Sequence, residues 1–230
     1  MKLGIIGAMD VEVALLKEKM TGVTAARHAG SDYFEGQLSG VDAVVVQCGV
    51  GKVNAALCAQ ILCDVYGVSH LVTTGIAGSL CADLDIGDLV VSKDAIYHDF
   101  DISYFGRAVG EVPGMGVVAF PADEAMIETA FEAAEGVNPG HTKIGRIASG
   151  DQFVCSKEKK EKIIADTQAL CTEMEGAAIA HTAYRNGVPF VILRAISDKA
   201  DDSAEMDYPT FEAIAAKRCA EVTIALAEKL

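Results

Sequence analysis

Basic residues are in short supply: 19 Lys and Arg stand against 33 Asp and Glu, a formal net charge of −14. A nucleic-acid polymer needs a cationic face to neutralise its phosphates, and an anionic membrane surface needs the same, so the composition argues against both partners. The seven Cys are odd in number and none forms a C-x-x-C pair, which removes zinc-ribbon and thioredoxin-type sites. Several lie in apolar runs, as buried free thiols do, and fit a reducing compartment. The five His are scattered, with no H-x-x-x-H pair. His98, Asp99 and Asp101 in YHDFD are ligand types, but a hydrogen-bonded cluster is expected there, with no metal and no cofactor. No apolar stretch is long enough for a membrane span or a signal segment: MKLGIIGAM breaks at Asp10 and reads as a first strand. A cytoplasmic protein with an acidic surface is the expectation. Repeats, low-complexity tracts and linkers are missing too, so residues 1–230 read as a single domain.

What is present is enough apolar sequence for a large core: 51% of 230 residues. Short runs rich in Val and Ile, most ending in Gly or a polar residue, recur as KLGIIG, DAVVVQCGVG, HLVTTGIAG, DLVVSKDAIY, KIGRIASG and PFVILRAISD. These read as strands. Helical patterns lie at 10–20, 53–66, 122–134, 157–167, 175–186 and 209–229. Such alternation predicts an α/β fold with helices on both faces of a sheet, three layers in all. DYFEGQLSGVDAVVVQ reads as a β-hairpin turning at Ser-Gly, so the sheet is expected to be mixed. The longest irregular stretch, 98–121, carries aromatics and Gly-Pro punctuation; loops of that length are usually functional or interfacial.

Three places concentrate carboxylates. In GAMDVEVALL, residues 7–16, Asp10 reads as a helix N-cap, and Glu12 either decorates the first turn or faces a pocket. TEMEGAAIAH sets Glu173 and Glu175 around Met174 just before a helix, and RAISD puts Arg194, Ser197 and Asp198 at the end of a core strand. A buried carboxylate costs several kcal/mol unless it is paired or hydrogen-bonded, so these segments point to a pocket that uses them. CGVGK, residues 48–52, is not a phosphate loop: the Walker pattern needs Gly where Val46 stands and Ser or Thr where Val53 stands. It still offers backbone N–H groups at a strand-to-helix turn, and GIAGS, residues 75–79, reads as a second such turn.

These segments, with SGDQFV and DIGDLVVS, run in order from residue 1 to about residue 228 and resemble the 5′-methylthioadenosine/S-adenosylhomocysteine nucleosidases, within the purine nucleoside phosphorylase/uridine phosphorylase superfamily. The resemblance implies a nucleoside phosphorylase-like fold, a homodimer and adenine nucleosides as small-molecule substrates. By the same resemblance Glu12 activates water and Asp198 protonates adenine N7. Ser197 orients that acid, and Arg194 lies near Glu12 and the water. Glu173, Met174 and Glu175 belong to the substrate site, with Glu175 on the ribose hydroxyls. Phe153 and Val154 contact the base, and Gly78 lies beside it. Met9, Val50, Ile102, Phe105 and Tyr208 line the apolar 5′ end, while Pro113 comes from the partner subunit. Two positions depart from the pattern. Ile76 replaces Ser, which is expected to remove one polar contact to the water. Arg107 replaces an aromatic and either meets a carboxylate on a longer 5′ group or points to solvent.

The chemistry asks for such groups. A purine leaves as a neutral base only if an acid protonates it, and the sugar then approaches an oxocarbenium ion that negative charge stabilises. Burial raises a carboxyl pKa and lets it keep its proton. Phosphate as nucleophile is disfavoured: a dianion ~4 Å from Glu12 costs about 8 kcal/mol at an effective dielectric near 20, and the nearest Arg in sequence is Arg27, across a helix. Hydrolysis is therefore the leading expectation. An aminodeoxyfutalosine nucleosidase, a phosphorylase and a non-catalytic nucleoside-binding protein are the alternatives; the last would be expected to lack Glu12 or Asp198.

Overall fold

The computed structural model describes residues 1–230, apart from the side chains at positions 205 and 206. In chain order the elements are β1 (Lys2–Gly7), α1 (Asp10–Lys19), β2 (Thr21–His28), β3 (Ser31–Leu38), β4 (Val41–Gln47), α2 (Lys52–Asp64), β5 (His70–Ser79) and β6 (Leu89–Tyr97). A single 3₁₀ turn (Ser103–Phe105) follows, then β7 (Phe120–Pro121), α3 (Glu124–Val137), β8 (Thr142–Ser149), α4 (Lys157–Thr167), β9 (Cys171–Glu173), α5 (Gly176–Asn186), β10 (Phe190–Asp198) and α6 (Ala204–Lys229).

All ten strands join one mixed sheet, in the order β2-β3-β4-β1-β5-β9-β8-β6-β10 with β7 on β6. Strand β10 also pairs with β5, so β5, β9, β8, β6 and β10 close into a ring. Strand β1 is parallel to β4 and β5, and β5 is parallel to β10. The hairpin β3–β4 turns at Ser39-Gly40 as its sequence predicts, and β2–β3 turns at Ala29-Gly30; both residues of each turn have positive φ, the pattern of tight hairpins.

Alternate residues of the central strands serve opposite faces. Ile6, Val44 and Val46 pack with Ala55, Cys58 and Leu62 of α2 and Ala177 and Ile179 of α5. Their neighbours Ile5, Ala43 and Val45 pack with Val13 and Leu16 of α1, Ala130 of α3 and Ala216 and Ala220 of α6. Burial on both faces is why these strands read as unbroken apolar runs. The fold is therefore a three-layer α/β/α arrangement around a mixed sheet.

Some expectations change. Helix α6 begins at Ala204 rather than 209, and Pro209 lies inside it, in the second turn, where it removes one backbone donor of the helix. Residues 75–79 are not a turn but the end of β5. Arg27 is not across a helix from the site but on edge strand β2, paired with Asp32 at 3.0 Å. Strands β2 and β9 are not legible in the sequence: most of β2 is exposed, so it has no apolar alternation, and β9 has three residues. The carboxyl ends of the parallel strands β1, β5 and β10 face one cavity, the usual ligand position in open α/β sheets.

Ile5 is fully buried on β1 between β4 and β5. Ile5→Ala is expected to cost about 2–5 kcal/mol, read as a lower denaturant midpoint at unchanged slope. A change below about 1 kcal/mol would show that this layer of the core collapses around the gap.

Candidate active site

The cavity is open to solvent, and with its mouth it spans about 590 Å³. One wall is the β1–α1 corner, with Ala8, Met9 and Glu12. The N-cap of α1 is Met9, not Asp10; Asp10 is the first helical residue and pairs with Lys17 at 2.7 Å. Glu12 turns back over the helix start. Its Oε2 accepts from the N–H groups of Ala8 (2.7 Å) and Met9 (2.9 Å), and its Oε1 from the N–H of Ile76 (3.0 Å). The backbone therefore holds Glu12 without a side-chain hydroxyl at position 76. Burial raises the Glu12 pKa against the opposing charge of Arg194.

The opposite wall is the end of β10. The β5–β10 register shifts between Ile196 and Asp198, a bulge of the kind that re-aims a side chain. Asp198 is 2% exposed; Ser197 Oγ donates to its Oδ2 at 2.8 Å and the Ala200 N–H to its Oδ1 at 2.8 Å. Burial raises its pKa despite these two donors. Both acids rest on glycines of β5. A Cβ at Gly75 would lie 2.4 Å from Glu12 Oε1, and one at Gly78 would lie 2.7 Å from Asp198 Oδ1. Gly78 is thus the floor under the acid.

Between these walls stands the β9–α5 junction. Glu173 is fully engaged by the protein: Arg194 Nη2 and Ser149 Oγ donate to it, as do the N–H groups of Gly176 (2.8 Å) and Glu175 (3.2 Å). Burial alone would raise its pKa, but Arg194 and these donors hold it below the ordinary value. Glu175 lacks a cationic partner and accepts only the Gly51 N–H, at 2.8 Å. Burial, then the charge of Glu173, pushes it up to about 8. Met174 lies between the two on the cavity wall, with Val50 from the loop before α2.

The remaining side is the loop after β8, which supplies Gln152, Phe153 and Val154. Phe153 is 46% exposed and meets the Tyr208 ring edge-on, centroids 5.5 Å apart. The Tyr208 hydroxyl lies 3.3 Å from Met9 Sδ, which ties α6 to the β1–α1 corner.

Four expected site residues do not line the cavity. Arg194 lies behind it, buried against Glu173, because an unpaired guanidinium could not stay in the core. Ile102, Phe105 and Pro113 lie on the 98–121 segment, whose turns carry it away from the cavity; Phe105 is 76% exposed. Arg107 also stands outside, paired with Glu111, so the solvent-facing alternative holds within this chain. His98, Asp99 and Asp101 do not converge: Asp99 pairs with Lys52, and Asp101 accepts from the Ser103 N–H. Sequence reading missed Ala8, Ala77, Gln152 and Thr172, and placed Ile76 by the water it would contact. The one available signal was Gly inside an apolar strand at 75 and 78, which marks close approach of another group.

The chain belongs to the phosphorylase superfamily, whose model matches residues 2–228. Within it, the chain is 40% identical over 227 residues to the 5′-methylthioadenosine/S-adenosylhomocysteine nucleosidase of Geobacillus kaustophilus, covering 98% of this chain and 96% of that protein. The crystal structure of the nucleosidase of the same name from Neisseria meningitidis, in complex with methylthio-immucillin-A, superposes with a TM-score of 0.96 at 36% identity, covering 100% of this chain and 99% of the other. The futalosine hydrolase of Helicobacter pylori superposes at 0.94 with 33% identity, covering 100% and 98%.

Thr172 Oγ1 is buried with no hydrogen-bond partner among the described residues. Replacing an unsatisfied buried hydroxyl by a methyl of the same shape is near neutral or stabilising. Thr172→Val should therefore hold or raise the melting temperature of the ligand-free protein. A fall of several degrees would show that the hydroxyl is bonded.

Proposed function

We propose that the chain hydrolyses the N-glycosidic bond of 5′-methylthioadenosine and S-adenosylhomocysteine, releasing adenine and the 5′-thio-substituted ribose. The observation that carries this reading is that two buried carboxylates, Glu12 and Asp198, line one cavity together with Glu175. The unbroken sheet supports treating residues 1–230 as one catalytic domain.

In this mechanism Asp198 keeps its proton because burial disfavours its charge, and it gives that proton to adenine N7 while Ser197 orients it. Phe153 and Val154 hold the base, with Gly78 leaving room for it. Glu175 and Met174 hold the ribose. Glu12, fixed by three backbone N–H groups, takes a proton from water as it attacks the anomeric carbon. Glu173 and Arg194 act through each other, keeping the carboxylate wall in place. Met9, Val50 and Tyr208 form the apolar end for the 5′-thio group. Burial, and after it the charge of Glu173, raises Glu175 in the free protein; a sugar gaining positive charge favours its ionised form, so the site favours the transition state over the neutral substrate.

Among the described residues, no Lys or Arg lines the cavity. That speaks against a phosphate nucleophile. The second reading is an aminodeoxyfutalosine-type substrate, whose 5′ group ends in a carboxylate as that of S-adenosylhomocysteine does. The likeness to a futalosine hydrolase keeps the second reading as the alternative, and product assays with both substrates separate them.

Asp198→Asn and Glu12→Gln should each lower turnover by about 100- to 10,000-fold or more while leaving the fold intact. The assay follows adenine and free sugar from methylthioadenosine, with and without phosphate. Near-parent rates in either variant, or sugar phosphate as product, would remove this mechanism.

We also propose a homodimer. Tyr104 (93% exposed), Phe105 and Val53 (71% exposed) offer exposed apolar surface. Packing segment 98–121 across a two-fold axis brings Ile102, Phe105 and Pro113 to a cavity only in the pair. Sedimentation at assay concentration should show a dimer, and a fully active monomer would overturn the assembly.

A further inference from the structure

YHDFD takes no part in the mechanism above, yet Asp99 sits at the centre of a closed set of bonds beside the cavity. Lys52 Nζ donates to both Asp99 oxygens, at 2.7 and 2.6 Å. The Asp151 N–H donates to Asp99 Oδ2 at 2.9 Å, and the Lys52 N–H donates to Asp151 Oδ1 at 2.8 Å. Lys52 Nζ also stands 3.6 Å from Asp151 Oδ2. None of the three residues lines the cavity. Two of them reach residues that do: Lys52 follows Gly51, whose N–H holds Glu175, and Asp151 precedes Gln152, Phe153 and Val154.

We propose that Lys52, Asp99 and Asp151 form a clasp that sets the distance between the ribose-holding wall and the base-holding wall, and that they are positioning residues for the nucleosidase reaction; the inference rests on that reading. Two successive N–H groups at the start of α2 divide the work. Gly51 reaches the carboxylate on the ribose side, and Lys52 reaches the loop on the base side. Asp151 thereby satisfies one of the orphan donors of the helix from a distant loop. The chain is shaped for this approach. A Cβ on Gly51 would stand 3.1 Å from Asp151 Oδ1, and one on Gly150 would stand 2.4 Å from the His98 ring and 3.0 Å from Asp99 Cγ. The pair is also drier than an ordinary surface ion pair: the Lys52 and Asp99 side chains are 24% and 14% exposed. An exposed pair holds little, whereas a charge-assisted network with fixed geometry holds a loop.

A nucleoside spans both walls, and free adenine touches only one, so the two ligands report the clasp differently. Lys52→Met should raise KM for methylthioadenosine about tenfold or more, equivalent to about 1.4 kcal/mol. The inhibition constant of adenine alone should change by less than about threefold, kcat should fall less than KM rises, and Lys52→Arg should recover part of the loss. Asp99→Asn should repeat the split, and it carries the test if Lys52→Met fails to fold. If nucleoside and adenine weaken together in step with a lower melting temperature, the network is structural only and the proposal falls. Unchanged constants for both ligands overturn it as well. If the parent protein releases no adenine, the failure lies with the nucleosidase reading, and the clasp falls with it.

Discussion

The buried ion pair between Glu173 and Arg194 is the contact on which the rest of the site depends. Each side chain is 3% exposed. They belong to β9 and β10, which are not neighbours in the closed ring of strands, so the pair braces the ring across its interior. Two charges in such a place are tolerated only when their remaining hydrogen-bond positions are filled, and removing one partner typically costs about 3–5 kcal/mol. Here Ser149 of β8 and the first N–H of α5 complete Glu173. One carboxylate thus ties together β8, β9, β10 and α5, and leaves Glu175 and Glu12 as the acids with capacity to spare.

Within the ring, glycines of β5 let two cavity carboxylates lie against the sheet. At Gly75 and Gly78 the space a Cβ would fill is taken by Glu12 and Asp198. The bulge before Asp198 supplies the complementary turn of β10, so that Ser197 and Asp198 meet side by side at the strand end. Packing and the placement of the two cavity carboxylates are the same feature at these positions.

The charge balance follows from this arrangement. Glu12, Glu173 and Glu175 surround one guanidinium, and Asp198 has none. Glu173 holds the direct bond to Arg194, and burial raises the pKa values of Glu12, Glu175 and Asp198. A cavity of that kind rejects anions and favours a ligand that gains positive charge. Under the proposed hydrolysis that ligand is the ribose, and the clasp at Lys52 keeps its base end in reach of Asp198.

Period and composition in the sequence alone determined the alternation of strands and helices, the Ser39-Gly40 hairpin and helix 157–167, because each depends on residues close in the chain. The acids Glu173, Glu175 and Asp198 were legible as pocket carboxylates beside apolar runs, while Glu12 stayed open between helix decoration and a pocket. Tertiary structure decided the rest. Asp10 and Glu12 share one helical turn, and only the rotation of α1 against β5 makes Glu12 the buried one. Ring closure rests on β9, three residues long, whose partners are distant in sequence. The direction of segment 98–121, which takes Phe105 and Arg107 away from the cavity of their own chain, is likewise unmarked in local pattern. Local sequence specifies which groups are available and how often they repeat; where a side chain points is set by contacts among segments far apart in the chain.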